Sequence, residues 1–425
     1  MSTTTYVGKR PADADSRSRH PTARAATPKQ RRKARSLVRT IAVGAQRREE
    51  PAPMAFYVLV VTIVVLTLLG LVMVLSASSI SAIHQGRSGW LYFRRQVAWA
   101  VLGFVALWVA WRVPYATWRR FFRVGLFGSL ALMTLAAMPG IGRSVNGARA
   151  WLSFGPVGFQ PGELMKLSLL VYCADLLSRR RKEMTNSNRT LRPVLIVLCV
   201  AGGLLVVQKD LGNGIVMGAI VMSVLFFAGT PLRSLASAGL MMAGAATVFT
   251  ISTPYRRNRW LAFLDLVGTR SFEGYQVYQA RVALATGGLT GLGIGAGHAK
   301  WSWLPEAHTD FIFAIIGEEL GLFGVVVVCA LFIVFGYAGI QVALHTHDRF
   351  AMLLSGGITA WILVQAVINI GGVVGVMPLT GITLPFVSFG GTSLLITMTA
   401  AGLLLNVASQ PPGKPTPAEP AAGSR

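Results

Sequence analysis

The sequence predicts an all-α polytopic membrane protein with about ten transmembrane helices. Apolar runs of roughly twenty residues recur along most of the 425-residue chain, and each is long enough to cross the hydrocarbon core of a bilayer as a helix. A helix satisfies its backbone hydrogen bonds within one segment, as lipid requires. The runs also lack the alternation of polar and apolar residues that a membrane β-barrel needs.

The apolar windows fix the approximate positions of the spans. They lie near 55–77, 96–112, 121–138, 162–178, 193–207, 212–230, 234–252, 311–335, 351–372 and 391–408. Only 208-QKDLG-212 separates the fifth window from the sixth, so these are either two short helices or one broken helix. The predicted domains are a disordered basic arm at 1–53, a membrane domain at 54–409 and a short disordered tail at 410–425.

The formal net charge of +24 has two explanations. The basic segment 29-KQRRKARSLVR-39 could bind nucleic acid, but membrane topology explains the charge more simply, and no nucleic-acid partner is expected. An even number of spans puts both termini on one side, and the positive-inside rule assigns that side to the cytoplasm. The basic loops at 119–123 and 179–182 then also lie inside, whereas Arg94, Arg95 and Lys209 fall outside, against the rule.

This topology places the main polar segments on the extracytoplasmic side. They are 139–161, 208–211, 253–310 and 373–390. The loop at 253–310, between the seventh and eighth spans, is long enough to be either functional or disordered. Half of its residues between 273 and 301 are apolar, which favours ordered structure at the membrane surface.

Asp310 is the candidate general base. A carboxylate at the mouth of a span is partly desolvated, and its pKa can therefore be tuned by burial and by nearby charges. Glu306 and His308 precede it and would tune or position it. The outer segments also carry many cations, which suggests a phosphate or pyrophosphate ligand. These cations are Arg143, Arg149, Arg256, Arg257, Arg259, Arg270, Arg281 and Lys300.

No metal site built from side chains is predicted. His308 with Glu306 or Asp310 has no established ligand spacing, although a divalent ion, magnesium or manganese, bridging phosphate and carboxylate is left open. Glu318 and Glu319 lie deeper in the eighth span, so buried polar contacts are favoured for them. Glu163, Lys166 or an arginine at a helix end are their candidate partners.

Two further polar clusters contribute candidate residues. Glu163 and Lys166 are three residues apart at the start of the fourth span, where they form either an ion pair that brackets the helix or part of a polar cavity wall. In 378-PLTGITLPFVSFGGTS-393, proline and glycine break an apolar run. Irregular backbone at membrane depth persists only when it is buried or lines a cavity, so this segment, with Ser388, is predicted to form a cavity wall.

Taken together, the clusters resemble the SEDS family of bacterial membrane proteins (shape, elongation, division and sporulation). The resemblance covers the chain from about Ala55 to Ser409. Its most specific parts are LPEAHTDFIFAIIGEELG at 304–321, NGARAWL at 146–152 followed by QPGELMK at 160–166, GYQ at 274–276, and LPFVSFGGTS at 384–393. The sequence departs from the usual family pattern at Gly162, Lys209, Thr383 and Phe389, where Ser, Pro, Pro and Tyr are usual.

The resemblance implies a peptidoglycan glycosyltransferase that polymerises lipid II into β-1,4 glycan strands at the outer face of the bacterial cytoplasmic membrane. It implies a class B penicillin-binding protein and other divisome membrane proteins as partners. The family's essential aspartate falls on Asp310, and Glu163 and Lys166 match positions regarded as functionally important. AHTDFIFAIIGEELG resembles the division branch more than the elongation branch, which implies a location at the septum. An elongation-type polymerase, a lipid II flippase or transporter, and a pure scaffold are the alternatives.

Residue chemistry and resemblance together predict one reaction scheme. Asp310 accepts the proton of the acceptor sugar's 4-hydroxyl as this oxygen attacks the anomeric carbon of the donor. Cations offset the charge of the leaving pyrophosphate, with Arg149, Arg257, Arg259 and Lys300 as candidates. The remaining candidate substrate contacts are Glu163, Lys166, Gln276, Glu306, His308 and Ser388.

Overall fold

The structure, a computed structural model, describes residues 53–410 except 85, 146, 156, 185, 253, 266, 267, 270–273 and 302, with backbone alone at 154, 157, 254–256, 259 and 262. Nearly all of the predicted basic arm at 1–53 and of the predicted tail at 410–425 therefore lies outside the described residues. The account below concerns the described part of the membrane domain.

Helices dominate the described residues. They are α1 (Met54–His84), α2 (Leu91–Arg112), α3 (Tyr115–Ala137), α4 (Pro161–Arg179), α5 (Leu191–Gln208), α6 (Leu211–Phe227), α7 (Leu232–Ile251), α8 (Pro254–Leu264), α9 (Tyr275–Gly287), α10 (Ile312–His345), α11 (Arg349–Val374) and α12 (Gly391–Ala408). Each predicted span coincides with one of these helices, while α8 and α9 lie in the long loop. The predicted fold class, a polytopic all-α membrane protein, is confirmed.

Eight of the described helices are long and apolar enough to cross a membrane. The two other predicted spans are α4, which carries Glu163, Lys166, Asp175 and Arg179, and α6, which has only 17 residues. The helices differ in how much of them is buried in the bundle. In the apolar stretch of each helix, 89% of the residues of α12 and 67% of those of α11 are buried, against 11% for α7. Central helices such as α11 can therefore carry polar side chains away from lipid.

The segment 208-QKDLG-212 separates two helices rather than breaking one. Lys209 adopts a left-handed conformation with φ 62°, and the amide of Asp210 donates to the carbonyl of Leu205 at 2.9 Å, as in a Schellman C-cap. Asp210 then caps α6 by accepting a hydrogen bond from the amide of Asn213 at 3.2 Å. The proline usual in the family could not adopt the φ of Lys209, since its ring holds φ near −65°.

A small antiparallel sheet, which was not predicted, occupies the outer segment between α3 and α4. Its strands are β1 (Gly142–Val145), β2 (Ala148–Phe154) and β3 (Val157–Phe159), in the order β1-β2-β3. β2 packs against α3 and α4, and its Leu152 is only 5% exposed. The sheet thus covers the connection between α3 and α4.

α10 is broken at Gly321, where φ is 66° and ψ is −163°. The break exposes backbone groups that the loop after α9 satisfies. The amides of Leu292 and Gly293 donate to the carbonyls of Glu318 and Glu319, both at 3.0 Å, and the amide of Leu322 donates to the carbonyl of Gly288 at 2.9 Å. The sequence had indicated one apolar span over 311–335 without a break. The loop therefore inserts against α10 and replaces its missing helical hydrogen bonds.

Candidate functional site

Asp310 lies two residues before the start of α10, next to its N-cap residue. Its backbone carbonyl accepts a hydrogen bond from Asn369 Nδ2 on α11 at 2.9 Å. Its carboxylate faces the segment between α11 and α12, which we call the 376–390 loop, because a Cβ atom built on Gly381 would lie 3.4 Å from Asp310 Oδ2. The residue is neither fully buried nor fully exposed, so its carboxylate has partly desolvated surroundings suited to a base.

Glu306 shapes the turn that carries Asp310. Its φ is 57°, a conformation that costs a non-glycine residue energy and is typical of functional sites. Thr309 Oγ1 donates to Glu306 Oε2 at 2.9 Å and to the Glu306 carbonyl at 3.0 Å. The amide of Phe311, the N-cap of α10, also points to this carbonyl at 3.4 Å. Glu306 therefore organises the turn through Thr309.

His308 lies in an aromatic cluster. Its ring centroid is 4.6 Å from that of Tyr92 on α2 and 5.5 Å from that of Phe389. The amide of Phe389 donates to the carbonyl of His308 at 3.0 Å. Burial lowers the pKa of His308, and the nearby Glu306 only partly opposes this effect. The imidazole is thus neutral at pH 7. Its ring contacts link the turn to α2 and to the 376–390 loop.

Glu163 and Lys166 form a buried ion pair on α4. Lys166 Nζ lies 2.8 Å from both carboxylate oxygens of Glu163, and the Lys166 residue is 0% exposed. The same Nζ donates to Gln365 Oε1 on α11 at 3.1 Å, and Gln365 Nε2 donates to the carbonyl of Thr383 at 3.0 Å. The pair therefore brackets the helix, as one of the two interpretations predicted, and also supports the 376–390 loop. The other interpretation, a place in a polar cavity wall, stays a prediction.

The side chain of Ser388 takes part in a hydrogen bond within the protein. It is 3% exposed, and its Oγ accepts a hydrogen bond from the amide of Leu384 at 2.8 Å. This bond closes a tight turn in which Phe386 has φ 65°. A substrate contact, as predicted for the Ser388 side chain, would require this turn to open.

The predicted cations are in different environments. Arg149 on β2 and Arg257 on α8 are exposed, whereas the side chain of Arg259 lies outside the described residues. Gln276 on α9, an uncharged candidate contact, is partly buried. Lys300 is 3% exposed and its Nζ lies 2.7 Å from Glu319 Oε1 and 3.0 Å from Ser76 Oγ. Lys300 is therefore held by an internal ion pair in this structure, and its predicted contact with pyrophosphate would require this pair to open.

Glu318 and Glu319 make buried polar contacts, as expected, but with other partners. Glu318 Oε1 accepts from the amides of His298 and Ala299 at 2.7 and 3.1 Å. Glu319 binds Lys300 and also accepts from the amide of Gly295 at 3.0 Å. The predicted partners, Glu163, Lys166 or an arginine at a helix end, were wrong because the loop after α9 folds back onto α10.

Several polar residues around the 376–390 loop were missed from the sequence. Gln365 and Asn369 are single amides within an apolar helix, a pattern that in membrane proteins indicates function or a buried partner. Asp210 Oδ2 accepts from Gln160 Nε2 at 3.0 Å and from Asn213 Nδ2 at 2.8 Å. This cluster adjoins the 376–390 loop, because a Cβ atom on Gly212 would lie 2.7 Å from the carbonyl oxygen of Thr380.

The described residues contain no group of three or more His, Cys, Asp or Glu side chains that could hold a metal ion. A divalent ion at Asp310 would therefore need oxygen ligands from substrate phosphates or water, as magnesium commonly has.

Comparison with known proteins relates the chain to a family and to a fold. The model of the FtsW, RodA and SpoVE family, described as cell cycle proteins, matches residues 57–411. The chain is 39% identical over 358 residues to a probable peptidoglycan glycosyltransferase FtsW of Mycobacterium tuberculosis, covering 84% of this chain and 68% of the relative. The FtsW of Geobacter metallireducens, also described as a probable peptidoglycan glycosyltransferase, is 38% identical over 84% of this chain and 96% of its own.

A solved structure is similar as well. A chain of a peptidoglycan synthase complex that coordinates polymerization and crosslinking superimposes with a TM-score of 0.67 at 30% identity, covering 82% of this chain and 96% of that one.

Proposed function

The chain belongs to the family of FtsW, RodA and SpoVE cell cycle proteins, and we propose that it is a peptidoglycan glycosyltransferase that polymerises lipid II during cell division. The observation that carries this function is the placement of Asp310. Its carboxylate lies at the start of α10 and faces the Gly381 turn of the 376–390 loop. The start of this membrane helix is expected at the boundary between lipid and water. A polyprenyl-linked sugar has its reactive atoms at this boundary too, since its lipid tail remains in the bilayer.

Asp310 is the general base of the proposed reaction. Its carboxylate accepts the proton of the acceptor sugar's 4-hydroxyl while the oxygen forms a bond to the anomeric carbon of the donor. The bond from this carbon to the pyrophosphate oxygen breaks, and undecaprenyl pyrophosphate leaves with the electron pair. Direct displacement inverts the α-linked centre and yields the β-1,4 glycan. Pyrophosphate is a good leaving group, so the second carboxylate that glycosidases use as an acid is not needed.

The negative charge of the leaving group needs compensation. Arg149 and Arg257, which are exposed, and Arg259 are the proposed cations, alone or with a divalent ion that bridges the phosphates. Glu163, Lys166 and Ser388 support the reaction from within the protein, since each is at most 4% exposed.

The protein is proposed to work with a class B penicillin-binding protein at the division septum. The similar synthase complex couples polymerization to crosslinking, and a penicillin-binding protein would supply the crosslinking transpeptidase here. Asp310 faces the outside of the cytoplasmic membrane in this proposal, and both termini lie in the cytoplasm, together with the basic ends of α3 and α4.

Replacement of Asp310 tests the proposal. Purified protein with its partner should form glycan strands from lipid II, and Asp310→Asn should lower the rate by about 100-fold or more, the contribution typical of a general base. Asp265→Asn, an exposed aspartate of the same long loop, is the matched control and should keep the wild-type rate. Unimpaired polymerisation by Asp310→Asn at equal folded amounts would remove Asp310 from the chemistry.

A further inference from the structure

Three buried carboxamide side chains hold the 376–390 loop. Gln96 Nε2 on α2 donates to the carbonyl of Ser388 at 3.1 Å. On α11, Gln365 Nε2 donates to the carbonyl of Thr383 at 3.0 Å and Asn369 Nδ2 to that of Ile382 at 2.7 Å. All three amides are at most 3% exposed. Since irregular backbone inside a bundle needs partners for its carbonyls, these amides fix the position of the loop.

Asn369 differs from the other two amides because it also holds Asp310. The Nδ2 group that donates to Ile382 donates to the carbonyl of Asp310 at 2.9 Å as well. The turn at Gly381, which directly precedes Ile382, is the part of the loop that faces Asp310 Oδ2. One NH₂ group therefore fixes both the backbone of Asp310 and the wall opposite its carboxylate.

The acceptor atom of Asn369, Oδ1, is buried and has no hydrogen-bond partner among the residues that the structure describes, as is also true of Gln96 Oε1. A buried acceptor without a partner costs free energy, and a leucine of similar size would avoid this cost. The two donor bonds are thus the contribution of the amide that a leucine could not replace.

We propose that Asn369 is a positioning residue for glycosyl transfer, which sets the distance between the Asp310 carboxylate and the sugar bound against the Gly381 turn. This inference rests on the proposed role of Asp310 as the base. A displacement of a catalytic group by about 1 Å can cost a factor of about 100 in rate. Asn369 therefore acts on the rate of the reaction rather than on the affinity for lipid II.

The same arrangement assigns a role to the Glu163–Lys166 pair. Lys166 Nζ binds Gln365 Oε1, and Gln365 lies one helical turn before Asn369 on α11. The pair orients Gln365 toward the carbonyl of Thr383, next to Ile382. It thus supports the same stretch of the loop as Asn369, without contact between Lys166 and the substrate.

The test compares two buried amides. Asn369→Leu removes both donor bonds at nearly constant volume. Gln208→Met is the matched control, because Gln208 is 1% exposed, donates to the carbonyl of Met133 at 2.7 Å and also has an unpartnered acceptor, Oε1. Its bond goes to α3 rather than to the 376–390 loop.

In lipid II polymerisation at equal folded amounts, Asn369→Leu should lower kcat by about 10- to 100-fold and leave KM within about 2-fold, as expected for misplacement of a base. Gln208→Met should keep both constants within about 2-fold of wild type. In an Asp310→Asn background, Asn369→Leu should cause no further loss, since a base that is already absent cannot be misplaced.

Backbone hydrogen exchange supplies a readout besides activity. Exchange at 380–389 should accelerate in Asn369→Leu and remain unchanged in Gln208→Met. If Asn369→Leu fails to fold, Asn369→Ser, whose shorter side chain offers at most one donor for the two carbonyls, should give the loss of kcat instead.

Three outcomes would overturn the inference. They are a wild-type kcat in the Asn369 variants, a rise in KM alone, and equal losses in Asn369→Leu and Gln208→Met. If Asp310→Asn is inactive while Asn369→Leu is fully active, only the positioning role fails. If Asp310→Asn itself polymerises at the wild-type rate, the proposed base fails, and the role of Asn369 fails with it.

Discussion

At the scale of single residues, Lys300 and Glu319 form an ion pair inside the protein, with side chains only 2% and 0% exposed. Glu319 also accepts hydrogen bonds from Ser76 Oγ at 2.7 Å and from the amide of Gly295 at 3.0 Å. The pair thus joins α1, α10 and the loop after α9. A buried ion pair adds little net stability compared with apolar residues, but the loss of one partner leaves an uncompensated charge.

Lys300→Met should therefore destabilise the protein by about 3–5 kcal/mol, because the Glu319 carboxylate remains buried without its cation. Lys300→Met combined with Glu319→Gln should recover most of this loss in thermal unfolding of the purified protein. Lys182→Met, at an exposed lysine, is the control and should have little effect. A stable Lys300→Met protein with a raised KM for lipid II would contradict the structural role and restore Lys300 as a substrate cation.

At the scale of elements, the break in α10 is the place where the loop after α9, which leads to Asp310, packs against the membrane helix. A Cβ atom on Gly321 would lie 2.3 Å from the backbone nitrogen of Gly291 and 2.6 Å from the carbonyl oxygen of Leu289. Because both neighbours are backbone atoms, they could move aside only if the inserted loop moved. The positive φ of 66° adds strain for any residue with a side chain.

Gly321→Ala should consequently displace the inserted loop, lower the unfolding temperature and reduce polymerisation, with a destabilisation of about 2 kcal/mol or more expected from overpacking and strain. Gly244→Ala on α7 provides the control, since a Cβ atom there meets nothing within 4 Å. That substitution should be neutral or slightly stabilising, because alanine favours the helix. Equal unfolding temperatures for the two variants would show that the loop does not pack tightly against the break.

At the scale of the whole molecule, the positions of the helices were predictable from the sequence, but the contacts between residues far apart in the sequence were not. The ten spans follow from apolar windows, since bilayer thickness alone dictates their length. The hydrogen bond between Lys300 and Ser76, which are 224 positions apart, depends on how the loop folds back onto α10. No local sequence pattern predicts this. The break at Gly321 was missed because other glycines in α10, such as Gly317 and Gly324, are helical. The motifs located Asp310, whereas Asn369 is a single amide whose partners come from two other segments.

The orientation of the whole bundle gives the last prediction. α4 starts at Pro161 on the side of the Asp310 site and ends at Arg179, near Arg180, Arg181 and Lys182. The positive-inside rule assigns this basic end to the cytoplasm and the Asp310 end to the exterior.

Single cysteines test this orientation in a variant whose Cys173, Cys199 and Cys329 are replaced by serine. In intact spheroplasts, a membrane-impermeant maleimide should label Asp265→Cys on the side of the site and should leave Lys182→Cys unlabelled until the membrane is permeabilised. The reverse pattern would place Asp310 in the cytoplasm, where a sugar donor exposed on the outer face could not reach it. A polymerase acting at the outer face requires the first pattern, so the labelling experiment tests a necessary condition of the proposed function without measuring activity.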